Sequence, residues 1–124
     1  MKLQILSDLH IDSYARQSRP IGHIPKTDAD IVLVAGDTAN SDGGMPWLQS
    51  QAARLEVPLI TIAGNHEYFD EDVLAFDKKL ATWDNYNDES QQGVRVLQCQ
   101  HIDIGDVRIL GCTLWTDYQY KATD

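Results

Sequence analysis

Two runs of apolar, largely β-branched residues constrain the fold of this chain most strongly: 31–35 (IVLVA) and 59–63 (LITIA). Runs that are apolar on both faces are typical of strands buried inside a parallel sheet. Residues 3–6 (LQIL) predict an earlier strand, which ends ahead of the polar pair Ser7 and Asp8. The sequence therefore predicts three strands of one buried sheet.

Helical patterns separate these strands. Pro46 can open a helix, and Pro58 ends the helical spacing of the apolar residues Trp47, Leu48, Ala52 and Leu55. Asp70 is the predicted N-cap of a second helix, whose apolar stripe comprises Val73, Phe76, Leu80 and Trp83. Residues 11–29 contain prolines and a glycine and are predicted to form a loop.

The rest of the chain is β in character. A strand is predicted at 94–99, and residues 101–104 and 107–114 form a predicted hairpin across Gly105 and Asp106. Strands that alternate with helices imply an α/β layered fold with a mostly parallel sheet. The length of 124 residues suits one small domain.

The composition limits the kinds of molecule that the chain is expected to bind. The formal net charge of −9 argues against nonspecific binding to nucleic acid or to anionic membranes, which requires an excess of Lys and Arg. No apolar stretch is long enough to span a bilayer, and the N-terminus has no signal-peptide pattern. The two cysteines, Cys99 and Cys112, are too few for a disulfide framework. We expect both to be reduced core residues of a cytoplasmic protein.

Polar residues follow each of the first three strands. Asp8 and His10 follow the first, Asp37 follows the second, and Asn65 and His66 follow the third. Parallel strands bring their carboxyl ends to one edge of the sheet, where ligand sites form in such folds. We therefore expect these five side chains to converge.

Carboxylate, imidazole and amide groups together suit Zn, Mn or Fe. Asp37 has two oxygens with which it could bridge two ions, and two ions roughly 3.5–4 Å apart can activate a water for displacement at phosphorus. Each residue alone also has a structural explanation. Asp8 could cap a turn, Gly-Asp is a common turn pair, and Asn65 could occupy a left-handed turn position. Their placement at three successive strand ends favours the metal site.

In order along the chain these motifs stand as Asp8-Leu9-His10, Gly36-Asp37 and Gly64-Asn65-His66-Glu67. They resemble the calcineurin-like metallophosphoesterase family over nearly the whole chain. The segment 109–118 (ILGCTLWTDY) also resembles a stretch of some bacterial members. The resemblance implies an α/β fold that is the N-terminal half of an αββα sandwich. It also implies an enzyme, either a phosphatase or a phosphodiesterase.

The resemblance further implies a role for each matching residue. Asp8 and His10 would bind the first of two divalent ions (Mn, Fe or Zn), Asp37 would bridge, and Asn65 would bind the second ion. Asn65 and His66 would contact the substrate phosphate, and His66 would protonate the leaving oxygen as the catalytic residue. Glu67 fills a motif position, but no chemistry is assigned to it.

Two features depart from the family pattern. Where members that resemble protein phosphatases carry Gly-Asp-x-x-Asp-Arg, this chain has Asn40 and Ser41, so Asn40 is expected to orient His66 and the phosphate-binding arginine is absent. The family's later histidines are also missing, because none follows His101. Neither His101 nor His23 is predicted to be a ligand.

These departures predict that residues 1–124 are a single, incomplete domain that lacks its C-terminal half. Such a fragment would be poorly active, and its exposed sheet edge would bind the missing half or a second copy. The alternative function is a non-catalytic scaffold or binding module on the same fold. A nucleotide-binding domain and a serine hydrolase are disfavoured, because the chain has neither their glycine-rich loops nor a Gly-x-Ser-x-Gly motif. The sequence leaves open which phosphate ester is the substrate.

Overall fold

A computed structural model describes residues 1–119, and its centre is a four-stranded sheet in which every neighbouring pair is parallel. The strands lie side by side in chain order. Their bounds are β1 Leu3–Leu6, β2 Ile31–Ala35, β3 Leu59–Ile62 and β4 Val94–Val96. The predicted parallel sheet of an α/β fold is thereby confirmed, although β4 is shorter than the predicted strand 94–99.

The register of the sheet brings the carboxyl ends of three strands together. Leu6 of β1 lies beside Val34 of β2, and Ala35 of β2 lies beside Ile62 of β3. Backbone hydrogen bonding continues past the end of β1, because Asp8 N donates to Gly36 O at 3.1 Å. The loops after these strands are therefore held to the sheet by the same ladder that aligns the strands.

The helices are α1 Ile11–Arg16, α2 Met45–Leu55 and α3 Val73–Ala81. The prediction of a loop throughout 11–29 is wrong for its first third, where Ile11 is buried and Asp12 pairs with Arg16 one helical turn later. Pro46 does lie in the first turn of α2.

The N-cap of α3 is Asp72 and not the predicted Asp70. The Asp72 side chain accepts a hydrogen bond from Ala75 N at 2.9 Å. Asp70 instead has a φ of 61°, in the left-handed region. The sequence offers three consecutive acidic residues here, Asp70, Glu71 and Asp72, and each could cap or precede a helix. We infer that burial of Phe76 selects Asp72 as the N-cap, because it fixes which turn of the helix faces the core.

Helices α2 and α3 cover one face of the sheet. Leu48 and Ala52 of α2 and Phe76 of α3 are buried against strand residues such as Val34 and Leu59. Thus the apolar stripe predicted for each helix points to the core, except that Val73 is half exposed.

A β-hairpin covers the opposite face. It consists of β5 Gln100–Ile104 and β6 Val107–Gly111, joined by the predicted turn at Gly105 and Asp106. Ile102 and Ile104 pack in one cluster with Ile31 and Ile60 of the sheet. The fold is therefore layered as helices, parallel sheet and hairpin.

The prediction that both cysteines are core residues is wrong. Cys99 is exposed and Cys112 is half buried. β4 ends at Val96, so Cys99 lies in the connection to the hairpin, where its φ is 51°. Their thiols meet each other there rather than the apolar core.

β1 lies at one edge of the sheet, and its side chain Ile5 is 69% exposed. Together with Ile109 and Leu110 of the hairpin, Ile5 lines an apolar groove of about 130 Å³. Association through this edge stays a prediction, as does the incomplete domain. None of the helices in residues 1–119 is long and apolar enough to cross a membrane.

Each helix has one face toward the core and one toward solvent. We therefore predict that a leucine on the buried face of α2 contributes much more to stability than a leucine on the exposed face of α3. Leu48 is fully buried and Leu74 is 75% exposed. We expect Leu48→Ala to lower the free energy of unfolding by about 2–5 kcal/mol. Leu74→Ala should change it by less than about 0.5 kcal/mol. Urea unfolding followed by circular dichroism measures both, and equal losses would contradict the assignment of α2 to the core.

Candidate metal centre

Three of the five predicted site residues come together at the carboxyl edge of the sheet. His10, Asp37 and His66 each offer one ligand atom, and these atoms lie within 4.8 Å of one another. Each residue comes from the loop that follows a different strand. We call this group the His-Asp-His triad. All three side chains are partly buried, so the triad lies in a recess rather than on an open surface.

The other two predicted ligands, Asp8 and Asn65, are not members of this triad. Asp8 has one carboxylate oxygen 3.9 Å from His10 Nε2, and its side chain is largely exposed. Asn65 is exposed, and its carbonyl oxygen accepts from Tyr68 N at 3.2 Å. Within residues 1–119 the Asn65 side chain makes no hydrogen bond, so its amide is free to face a ligand. The triad contains His66, for which the sequence predicts a catalytic role rather than metal binding.

The ring of His66 is fixed from several sides. Its Nδ1 donates to the side-chain oxygen of Asn40 at 2.9 Å, as the sequence predicts. The ring of His10 meets it edge-on, with centroids 4.5 Å apart, and that of Phe69 lies 4.3 Å away. With Nδ1 bound to Asn40, Nε2 is the atom of His66 that is available for chemistry.

Three of the predicted ligands have a left-handed backbone. Asp8, His10 and Asp37 have φ values of 54°, 44° and 55°, all in the left-handed region. This conformation costs a residue with a side chain roughly 1–2 kcal/mol. Such strain persists only where the surrounding structure enforces it, and it clusters at functional sites. At Asp8, His10 and Asp37 this conformation falls on candidate ligands, which is consistent with loops shaped for binding.

Two glycines allow the loops after β2 and β3 to touch. A Cβ on Gly36 would lie 2.5 Å from Gly64 N, and a Cβ on Gly64 would lie 2.2 Å from Asp37 Oδ1. Gly36 also has a φ of 81°, which favours glycine. Because neither position tolerates a side chain, the glycines of the two motifs set how closely Asp37 approaches the His66 loop.

Glu67 binds these two loops together. Its carboxylate is 1% exposed and accepts three backbone hydrogen bonds, from Asp37 N at 3.0 Å, Thr38 N at 2.7 Å and Gly64 N at 2.8 Å. Burial raises the pKa of Glu67, and the three backbone donors oppose that rise. Donors to both oxygens suit the ionised carboxylate.

The role of Glu67 could not be predicted from the sequence, because two of its three partners are backbone groups about thirty residues away. Asp37 itself adds a further link, since its Oδ1 accepts from His66 N at 2.9 Å. The carboxylates of Glu67 and Asp37 therefore cross-connect the motifs in both directions.

Tyr68 and Thr113 make hydrogen bonds that stabilise the turn after β3. Tyr68 OH donates to Asp77 at 2.5 Å, and Thr113 Oγ1 donates to Ala63 O at 2.7 Å. Burial, reinforced by Asp77, raises the pKa of Tyr68 to about 12, so the phenol stays protonated and keeps its hydrogen bond. Ala63 directly precedes Gly64, so these contacts position the turn that carries His66.

The donor set of this edge suits a divalent transition metal. Imidazole nitrogens and carboxylate oxygens are ligands that Zn, Mn and Fe share. The triad is partly buried, and Asp8 lies beside its member His10. The residues present therefore fit the metal centre that the sequence predicts.

Comparison with known proteins bears on the same residues. A family model described as calcineurin-like phosphoesterase matches residues 1–115 of the 124. The matched range contains all the loops described above. No significant match was found among curated proteins or among solved structures.

The three hydrogen bonds to Glu67 predict that this buried carboxylate stabilises both the fold and the metal centre. In Glu67→Gln, an amide NH₂ would face a backbone N–H. We expect the free energy of unfolding to fall by about 2–3 kcal/mol and Mn²⁺ affinity to fall as well. Glu89→Gln, an exposed residue in the loop before β4, is the matched control. Urea unfolding and calorimetric Mn²⁺ titration measure the two effects, and Glu67→Gln behaving like Glu89→Gln would refute the prediction.

Proposed function

The chain belongs to the calcineurin-like phosphoesterase family, and from this premise we propose that it is a metal-dependent enzyme that hydrolyses phosphate mono- or diesters. The observation that carries the proposal is the convergence of His10, Asp37 and His66 at the carboxyl edge of the sheet. A scaffold has no need for two imidazoles and a carboxylate whose ligand atoms lie within 4.8 Å of one another, so this observation favours the enzyme over the non-catalytic alternative.

We assign the metal ligands as follows. Asp8 and His10 would hold one divalent ion, Asp37 would contribute to both ions, and Asn65 would contribute to the second. When bound, such ions supply a nucleophilic water at neutral pH and neutralise charge on the phosphoryl oxygens. Mn, Fe and Zn each suit this set of nitrogen and oxygen donors.

His66 is the proposed proton donor to the leaving oxygen. The bond from Nδ1 to Asn40 leaves Nε2 as the ring atom from which a proton can be delivered. A leaving alkoxide requires that proton as the ester bond breaks. Asn40 is a positioning residue, because it acts on the substrate only by orienting the His66 ring.

Arg19 is the cation best placed to bind the substrate phosphate. It lines a polar cavity of about 250 Å³ together with Asp8, His10 and Tyr14. Its guanidinium lies 5.5 Å from the centre of the Tyr14 ring. Three other arginines in residues 1–119, Arg16, Arg95 and Arg108, pair with carboxylates, and Arg54 bonds to Ile24 O. No carboxylate within residues 1–119 pairs with Arg19, so it is available for an anion.

The metal centre is tested by removing one ligand and the proton donor. In the full-length protein, Asp37→Asn and His66→Ala should each lower the Mn²⁺-dependent hydrolysis of an aryl phosphate ester by roughly 100-fold or more. Asp106→Asn and His101→Ala, exposed residues of the hairpin, are the matched controls and should retain activity.

Three outcomes separate the hypotheses. Loss in the site variants with retention in the controls supports the enzyme. Hydrolysis that survives both Asp37→Asn and His66→Ala would exclude the proposed site. A full-length protein that binds Mn²⁺ but hydrolyses neither mono- nor diesters would favour the non-catalytic binding module.

Arg19 has a matched control in the same segment, since Arg16 is equally exposed but pairs with Asp12. We expect Arg19→Ala to raise KM for the aryl phosphate ester about tenfold or more, because a charge-assisted hydrogen bond is lost. Arg16→Ala should leave KM unchanged. Steady-state kinetics measures both constants, and equal KM values for the two variants would contradict phosphate binding by Arg19.

A further inference from the structure

The two cysteines of the chain meet at the base of the hairpin. Cys99 Sγ and Cys112 Sγ are 2.9 Å apart, and each is a free thiol. The chain contains no other cysteine, so these two residues are each other's only intramolecular partner.

Strand register explains why the thiols face each other. Gln100 pairs with Gly111 at the open end of the antiparallel hairpin, and Cys99 and Cys112 are the next residues outward on each side. Both cysteines lie just outside the ladder, where Cys99 has a φ of 51°. The observation that favours a bond is the separation of 2.9 Å between their sulfurs.

The thiol pair is also accessible to a small-molecule oxidant. Cys99 is exposed, and with Cys112 it lines an open cavity of about 420 Å³ between the hairpin and Leu114. Buried structural cysteines are inert, whereas exposed paired thiols are the ones that exchange. A small molecule can therefore reach one sulfur while the second waits beside it.

We propose that Cys99 and Cys112 are a modification site that forms a reversible disulfide by exchange with a small-molecule disulfide. The Cys99 sulfur attacks one sulfur of the oxidant, which forms a mixed disulfide and releases one oxidant thiol. The Cys112 sulfur then attacks Cys99 Sγ and releases the second. The protons of the two protein thiols leave with the two released thiols, so the protein is oxidised and the oxidant is reduced.

The bond would act on the segment that supports β3. Cys112 precedes Thr113, whose hydroxyl donates to Ala63 O at 2.7 Å and whose N–H donates to Gln98 at 3.1 Å. A link from Cys99 to Cys112 closes a loop around the hairpin and fixes residue 113 against the end of β3. Loop closure of this length restricts the unfolded chain and stabilises the fold.

The test uses the 124-residue chain, with oxidised glutathione as the oxidant. The monomer should lose both thiol hydrogens by mass spectrometry and resist alkylation until it is reduced. Its Tm should rise by roughly 5–10 °C. Cys99→Ser and Cys112→Ser are the controls; each should form only a glutathione adduct, with no such rise.

Several results would contradict the proposed disulfide. Two alkylatable thiols after incubation with excess oxidised glutathione would overturn the proposal. So would glutathione adducts on both cysteines, or a disulfide-linked dimer in place of the cross-linked monomer. Circular dichroism of the reduced serine variants verifies that they fold, and Cys→Ala variants replace them if they do not.

Discussion

The carboxylate of Glu67 is the interaction on which the rest of the edge depends. It is buried, and it accepts from backbone groups of the two loops that follow β2 and β3. Without it, three N–H groups would lack partners in a region closed to water, at a cost of about 1–3 kcal/mol each. Gly36 and Gly64 allow the contact, because a Cβ on either would collide with the opposing loop. The positions of Asp37 and His66 are therefore set by backbone bonds before any ligand binds.

This rigidity explains how the strained backbone at the candidate ligands persists. Asp8, His10 and Asp37 adopt left-handed conformations that an isolated loop would relax. The ladder between β1 and β2 continues through them, with His10 N donating to Asp37 O at 3.0 Å and Ile11 N donating to Thr38 O at 2.9 Å. The parallel sheet and the hydrogen bonds to Glu67 offset the free-energy cost of the strained loops. Preformed ligands in turn reduce the ordering that metal binding would require.

Much of the fold follows from the sequence, because burial on both faces imposes apolar runs that are visible without a structure. The run at 31–35 marks β2, and Gly105 with Asp106 marks the hairpin turn. The local structure of residues 11–16 and the burial of the cysteines were less predictable. Residues 11–16 form a helix because Ile11 finds a buried position, and the cysteines leave the core because β4 ends early. Both depend on tertiary packing, which outweighs local propensity.

Three of the five predicted site residues, His10, Asp37 and His66, converge at the sheet edge, and this group combines two roles that the sequence predicts separately, metal binding and proton donation. Asn40 Oδ1 accepts from His66 Nδ1, which places the lone pair of the neutral ring on Nε2. That tautomer can bind a metal, whereas delivery of a proton requires the imidazolium form. A carboxylate at position 40 would stabilise the imidazolium, and the neutral amide does so less strongly. Nε2 is therefore the atom of His66 that either role would use, as a metal ligand in the neutral ring or as a proton donor in the imidazolium form.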